Sequence, residues 1–239
     1  MPSRMSAPLR LRPSVAVKES RLASLLGERG RGLHDPHLAS VVEDAQLLGS
    51  LEISGFRVAW DEVRSSRSSG GGPAEVLALR RARSAVAPDA PFTVQALQVW
   101  HDTLAGPAGF RRGERAREGA PPAPAEFVPG RLQALEEWLQ MAGSRDLRPE
   151  QAAAVALARI VEILPFDDAN GRVSRLAASH LMVRGGMRPP ILVAGDGPRL
   201  QAATLAAFRL ETEPLVALLV EASVRALDVM IQTLERGEA

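Results

Sequence analysis

Apolar residues recur at the spacing of one helical face along most of this chain, and that period constrains the fold more than any other feature. It is clearest in 37-HLASVVEDAQLLGSL-51, 132-LQALEEWLQMA-142, 150-EQAAAVALARIVEIL-164, 173-VSRLAASHLMVR-184 and 214-PLVALLVEASVRALDVMIQTLER-236. Few stretches alternate with period two. The best strand candidates are 190-PILV-193 and the edges of 109-GFRRGERAREGAPPAPAEFVP-129, whose two ends could pair as a hairpin. The fold class is therefore mainly α, with a short β-hairpin as the one exception.

At 239 residues the chain can bury a substantial core as one domain, or as one domain with an N-terminal extension. Its 29 basic and 28 acidic residues leave a net charge of +1, so the balance points to neither nucleic acid nor a membrane surface as partner. Any anion site must be local. The absence of cysteine removes disulfides, thiol nucleophiles and thiolate metal sites. The first twenty residues lack the apolar run of a signal peptide, and no window approaches a membrane span, so a soluble cytoplasmic protein is the default expectation. Lys18 is the only lysine and tyrosine is absent, which leaves His34, His37, His101 and His180 as the main candidates for a general base. The sequence does not specify an oligomeric state.

Breaks are expected at three places: 64-RSSRSSGGGP-73, read as a flexible Ser/Gly linker, the Pro-rich 120-APPAPAEFVP-129, and 185-GGMRPP-190. Gly185 and Gly186 are C-cap candidates for the helix before them. The segment 163-ILPFDDANGRVSR-175 joins two helical patterns. Pro165 disfavours helical geometry at Leu164, so Leu164 stands at a helix exit. The next helix should start near Asn170, with Asp168 or Asn170 as its cap. Its free N–H groups, the positive end of its dipole and Arg172 with Arg175 on one face would form an anion pocket fit for phosphate. Asp168 could hold a divalent cation, because magnesium is typically carried by one or two carboxylates plus phosphate oxygens.

The stretch 165-PFDDANGRVSR-175 closely resembles the signature of the Fic (Fido) family, His-Pro-Phe-x-Asp/Glu-Gly-Asn-Gly-Arg-x-x-Arg. Pro165, Phe166, Asp168, Asn170, Gly171, Arg172 and Arg175 match; Leu164 stands where the catalytic histidine belongs, and Ala169 replaces a glycine. The resemblance implies a Fic-type helical bundle over 36–239 behind an N-terminal extension, 1–35, with an inhibitory-helix-like segment at 37–55 and the signature loop at 164–175. It also implies a β-hairpin flap over 109–129, led by Gly109, Phe110 and Arg111, which aligns a segment of a target protein beside the nucleotide. Ser50 and Gly55 match the family's inhibitory motif Ser/Thr-x-x-x-Glu-Gly/Asn, but Ser54 occupies the glutamate position. That glutamate pairs with the second arginine of the signature, and a neutral, short Ser54 cannot form the ion pair with Arg175. Glu43 and Glu52 are nearby acidic alternatives.

Family members transfer AMP from ATP, with magnesium, to a protein hydroxyl, the histidine accepting the hydroxyl proton as it attacks the α-phosphate. Such a base contributes roughly 100- to 10,000-fold. Leu164 has no lone pair, whereas nucleotide binding through Asn170, Gly171, Arg172, Arg175 and Asp168 does not depend on it. His180 lies about 15 Å along the helix from Asn170, His101 matches a position where the family carries a structural histidine, and His34 and His37 fall in a loop before the first long helix. Asp167 could serve as a base, and Ala169 makes costly any left-handed turn that a glycine there would serve. The expectation is a degenerate Fic-type protein that binds nucleotide and has lost or impaired AMP transfer. An active transferase with another base and a non-catalytic protein-binding module are the alternatives.

Overall fold

The computed structural model describes residues 13–32, 34–117, 121–141 and 146–237. Among these residues the chain is helical, with short 3-10 turns and no strand. The helices are α1 (Pro13–Glu28), α2 (Pro36–Ile53), α3 (Trp60–Ser69), α4 (Ala74–Ser84), α5 (Val94–Ala105), α6 (Val128–Gln140), α7 (Pro149–Ile163), α8 (Asn170–Arg184), α9 (Gly197–Phe208) and α10 (Glu213–Arg236). None of the described helices is long and apolar enough to cross a membrane.

Several ends are set locally. Asp35 caps α2 by accepting from the amides of His37 (3.0 Å) and Leu38 (3.1 Å), with Pro36 in the first turn. The Leu38 amide above all holds its carboxyl below the usual range. Pro149 opens α7, and the Gln151 side-chain oxygen Oε1 accepts from the Arg148 amide at 3.0 Å. At the end of α8 the Met187 amide reaches back to the Met182 carbonyl (2.9 Å) through Gly186 at φ +83°, so the paired glycines do end that helix.

The centre is the α7–α8 hairpin. Alanines 153, 154, 156 and 158 of α7 and 177 and 178 of α8 are buried, and such small side chains let neighbouring helices approach closely. Leu157, Ile160, Phe166 and Val173 continue this core to the turn between the two helices. Leu22 and Leu26 of α1, from the segment read as an extension, share a second buried cluster with Leu38, Leu227 and Leu234.

Three expectations are corrected. The segment 64–73 is not a loop throughout: α3 runs to Ser69, and only then does Gly70, at φ +64°, end it. Val63 is fully buried, and Ser66 and Ser69 return their hydroxyls to the carbonyls of Val63 (2.7 Å) and Ser65 (2.8 Å), so packing and local bonds override weak propensity. Residues 190–193 form no strand and bond to helices instead. The Ile191 amide donates to the Ala222 carbonyl (3.0 Å), and Gln46 donates to the Pro190 carbonyl (2.8 Å). The backbone at Leu192 presses so close to Gly49 of α2 that a Cβ there would lie 1.7 Å from the Leu192 carbonyl oxygen.

The flap hairpin is not seen among the described residues of 109–129; residues 118–120 lie outside them. Pro121, Pro122 and Pro124 offer no N–H to a ladder. Side chains do the pinning instead. Buried Arg111 donates to the carbonyls of Leu164 (2.6 Å), Gly113 (2.8 Å) and Ala123, and Glu114 accepts from the Ala125 amide at 2.8 Å.

Candidate functional site

The turn between α7 and α8 is built from two left-handed residues. Leu164, the C-cap of α7, sits at φ +52°, ψ +62°, with its amide still donating to Ile160 at 2.9 Å. Pro165 forbids it the helical alternative. Ala169 follows at φ +61°, ψ +5°. Neither is glycine, so each carries backbone strain of about 1–2 kcal/mol. Replacing Ala169 by glycine relieves that strain while loosening the unfolded chain, so Ala169→Gly should gain about 0.5–1 kcal/mol. A urea midpoint no higher than that of the natural chain would refute this.

What holds the strained turn is buried contact. Phe166 is fully buried, stacked on His101 with ring centroids 4.0 Å apart and 10° between planes, and flanked by Phe110 at 5.7 Å. The Asn170 side chain clips the turn in both directions, its Oδ1 accepting from the Phe166 amide (3.0 Å) and its Nδ2 donating to the Phe166 carbonyl (2.8 Å). The expected side-chain cap of α8 is absent. Ala169 is the N-cap, and Asp168 accepts only from the adjacent Ala169 amide, at 2.6 Å. With Asn170 turned back toward Phe166, the first-turn N–H groups of α8 have no side-chain cap and remain available to an anion.

Leu164, the segment Asp167–Arg172, Arg175, Ile53, Ser54, Phe56 and Arg115 line one cavity of about 450 Å³. Arg172 is buried, with Asp168 3.5 Å away and the Phe56 ring 5.1 Å beneath its guanidinium. Arg175 donates to the Ser50 hydroxyl (2.9 Å), the Ser50 carbonyl (2.8 Å) and the Ser54 hydroxyl (2.6 Å). Burial first, and Arg172 second, lower its pKa to about 10, so it stays charged at neutral pH. Gly171 leaves it room: a Cβ there would lie 3.2 Å from its terminal nitrogen. Of the two carboxylates that line the cavity, Asp167 is taken up by Arg115 and the largely exposed Asp168 lies beside Arg172.

Other candidate residues lie elsewhere or are engaged. Asp167 is ion-paired with Arg115 at 2.6 Å. Glu43 pairs with Arg80 at 2.5 Å, and Glu52 does not line the cavity. His101 is buried in the Phe166 stack, and His180 meets the Ala90 carbonyl at 2.9 Å and Trp100 edge-on. Desolvation chiefly holds His180 below the usual histidine pKa. His34 is exposed in a turn, whereas His37 belongs to the first turn of α2 and not to a loop. Gly55 adopts φ +86°, and Gly109 φ +67°, as the turns around them require. Phe56, Arg115 and Ile53 were not singled out from the sequence. No motif marks them, and only the packing of α2 and of the 109–117 segment against the turn brings them to the cavity.

The turn at the centre of this helical bundle thus brings together an uncapped helix start, two arginines and a carboxylate, groups whose chemistry suits an anion. Residues 91–182 match the model of the Fic/DOC family. Over that segment the chain is similar to the family. It is 31% identical over 123 residues to "Protein adenylyltransferase Fic" of Drosophila willistoni, covering 51% of this chain and 24% of that protein. With the Drosophila mojavensis protein of the same name it is 39% identical over 85 residues, 35% of this chain and 16% of that one. The chain thus spans about a quarter or less of the curated relatives it matches. Among solved structures, a Fic domain containing signaling protein from Bacteroides thetaiotaomicron superposes with a TM-score of 0.76 at 18% identity, covering 95% of this chain and 99% of that one. Fic-1 from C. elegans gives 0.71 at 20% identity, over 93% and 74%. IbpAFic2, solved in complex with adenylylated Cdc42, gives 0.53 at 15% identity, over 90% and 71%.

Proposed function

We propose that this chain binds nucleotide phosphates, with magnesium, in the 164–175 cavity and has lost or strongly impaired the transfer of AMP to protein hydroxyls. One observation carries the reading: Leu164 occupies the cavity wall in the signature's base position while Asn170, Gly171, Arg172 and Arg175 keep the anion cradle. Leucine cannot accept a proton, and a missing general base costs roughly 100- to 10,000-fold. The relatives named as protein adenylyltransferases support ATP as the nucleotide, and the Cdc42 complex of IbpAFic2 supports a protein target, whose place along the 109–129 segment rests on the family resemblance.

The fit to a metal rests on Asp168, the exposed carboxylate beside Arg172, since Asp167 is paired with Arg115. A single carboxylate suits magnesium that completes its shell with phosphate oxygens and water. Such an ion, when bound, neutralises phosphate charge. The protein's own share is to aim the uncapped α8 amides, Arg172 and Arg175 at the phosphates, and to orient the turn through Asn170 and Phe166. Transfer by a substitute base is disfavoured because Asp167 is paired with Arg115, and His101 and His180 are packed elsewhere.

Titrating Mg-ATP into the natural chain and into Arg172→Ala tests binding. The natural chain should bind and Arg172→Ala should bind about 10- to 100-fold more weakly, the worth of a lost charge-assisted contact. Binding unaffected by Arg172→Ala, or none to the natural chain, sinks the nucleotide half and favours a non-catalytic binding module. Robust transfer of radiolabel from ATP by the natural chain sinks the other half.

A further inference from the structure

A second cavity, of about 520 Å³, opens on the flank of α7 away from the phosphate cradle, among residues that no part of the proposed function uses. Its walls are two helical stripes. Arg131, Ala134, Leu135 and Trp138 come from α6, and Val155, Ala158, Arg159, Glu162 and Ile163 from α7; the turn after α9, with Leu210 and Thr212, closes one end. Each stripe advances by three and four residues over about two turns, which is the footprint of a third helix laid between them. The lining is mostly apolar.

Two features mark this groove as unfinished in the chain alone. Leu210 adopts φ +69° at the position where a glycine would end α9, and its side chain is 75% exposed. Backbone bonds from the Leu210 amide to Ala207 (3.0 Å) and from the Glu211 amide to Ala206 (3.2 Å) hold that conformation, while the exposed side chain gains little from packing within the chain. Trp138 also remains 38% exposed beside it. The rim charge points the same way. Arg159 pairs with Glu162, and Arg209 with Glu211 at 3.4 Å, whereas Arg131 has no ion pair among the described residues. The groove therefore presents apolar holes and one uncompensated positive charge.

We infer that this groove docks an amphipathic helix of a partner protein, with apolar anchors at i, i+3 or i+4, and i+7 and an acidic residue on the flank that meets Arg131. Leu210 at the closed end and Trp138 on the α6 wall are the exposed apolar side chains that a docked helix would cover, the kind of contact that concentrates binding energy in an interface. Ile163 lines this groove and Leu164 the phosphate cavity, so a docked helix touches the wall shared by the two. The inference stands independently of nucleotide binding.

The probe is a fluorescein-labelled, helix-stabilised fourteen-residue peptide (about four turns) with leucines at those spacings and glutamates on one flank. Its controls replace the leucines by serine or the glutamates by lysine. Fluorescence anisotropy with the full chain should show saturable binding of the leucine–glutamate peptide and weaker binding of both controls. Leu210→Gly relieves the backbone while deleting the exposed side chain, so it should fold at least as stably yet bind roughly tenfold or more weakly, and Trp138→Ala should bind more weakly as well. Arg131→Glu should invert the preference between the glutamate and lysine peptides. Equal affinity for leucine and serine peptides, unchanged binding by Leu210→Gly, or no inversion by Arg131→Glu overturns the proposal. A homodimer in sedimentation that Trp138→Ala splits into monomers also overturns it, since a second copy would then be the occupant.

Discussion

Leu164→His should convert a chain that binds Mg-ATP into one that transfers label from ATP to a protein hydroxyl, roughly 100- to 10,000-fold above the natural chain. The substitution places a side chain of suitable pKa on the wall of the phosphate cavity. It should do so without moving the backbone. The position is left-handed, at φ +52°, and histidine visits that region more readily than leucine. The main chain there is also held from both sides, by the amide's bond to Ile160 (2.9 Å) and by Arg111 on the carbonyl (2.6 Å). Leu164→Asn is the control: it too tolerates the left-handed conformation but supplies no base, so it should bind nucleotide and transfer nothing. If Leu164→His binds Mg-ATP as tightly as the natural chain yet transfers no more label, a feature other than residue 164 blocks the reaction. The strained Ala169 turn, or Phe56 and Ser54 lying over the two arginines, would then be the place to look.

Arg111→Ala should cost about 3–5 kcal/mol, read as a lower urea midpoint at unchanged slope. Arg111 is 2% exposed, and its guanidinium satisfies the carbonyls of Leu164, Gly113, Ala123 and Ile163, while its own amide donates to Pro165 at 2.9 Å. It also sets a positive charge against the carbonyl end of α7, where the helix dipole favours one. Truncation leaves buried acceptors unpaired and releases both the 109–117 segment and the turn at Leu164. Arg111→Lys keeps the charge but not the planar fork, so it should recover only part of the loss. A cost under about 1 kcal/mol for Arg111→Ala would show that water replaces the guanidinium and that the arginine does not hold the turn.

The functional turn was legible because its determinants are local. Proline after Leu164 forbids helix there, the Asn170–Arg175 run restarts it, and an alanine where the family has glycine signals a costly positive φ, which Ala169 adopts. Asn170 and Asp168 are equally good caps for α8 in isolation, and neither caps it. The structure instead uses Asn170 to bond Phe166, a choice made by the burial of that ring. The flap was expected as a hairpin from its two ends alone, and what organises it is a single buried arginine bonded to residues some fifty positions away. Period-based reading likewise had no access to α3, whose ten residues, Trp60–Ser69, are rich in serine and arginine and owe their helix partly to burial of Val63.

By itself the sequence determined the mainly helical class, the α7–turn–α8 unit and a side chain without a proton acceptor at residue 164, since periodicity, proline geometry and side-chain chemistry act over a few residues. Only the tertiary structure decided what surrounds the two signature arginines. Phe56 lies over Arg172, Ser50 and Ser54 hold Arg175, and Arg115 takes up Asp167. Those partners stand far from the turn in the chain, and it is the burial of helix faces against α7 and α8 that sets them within reach of one cavity.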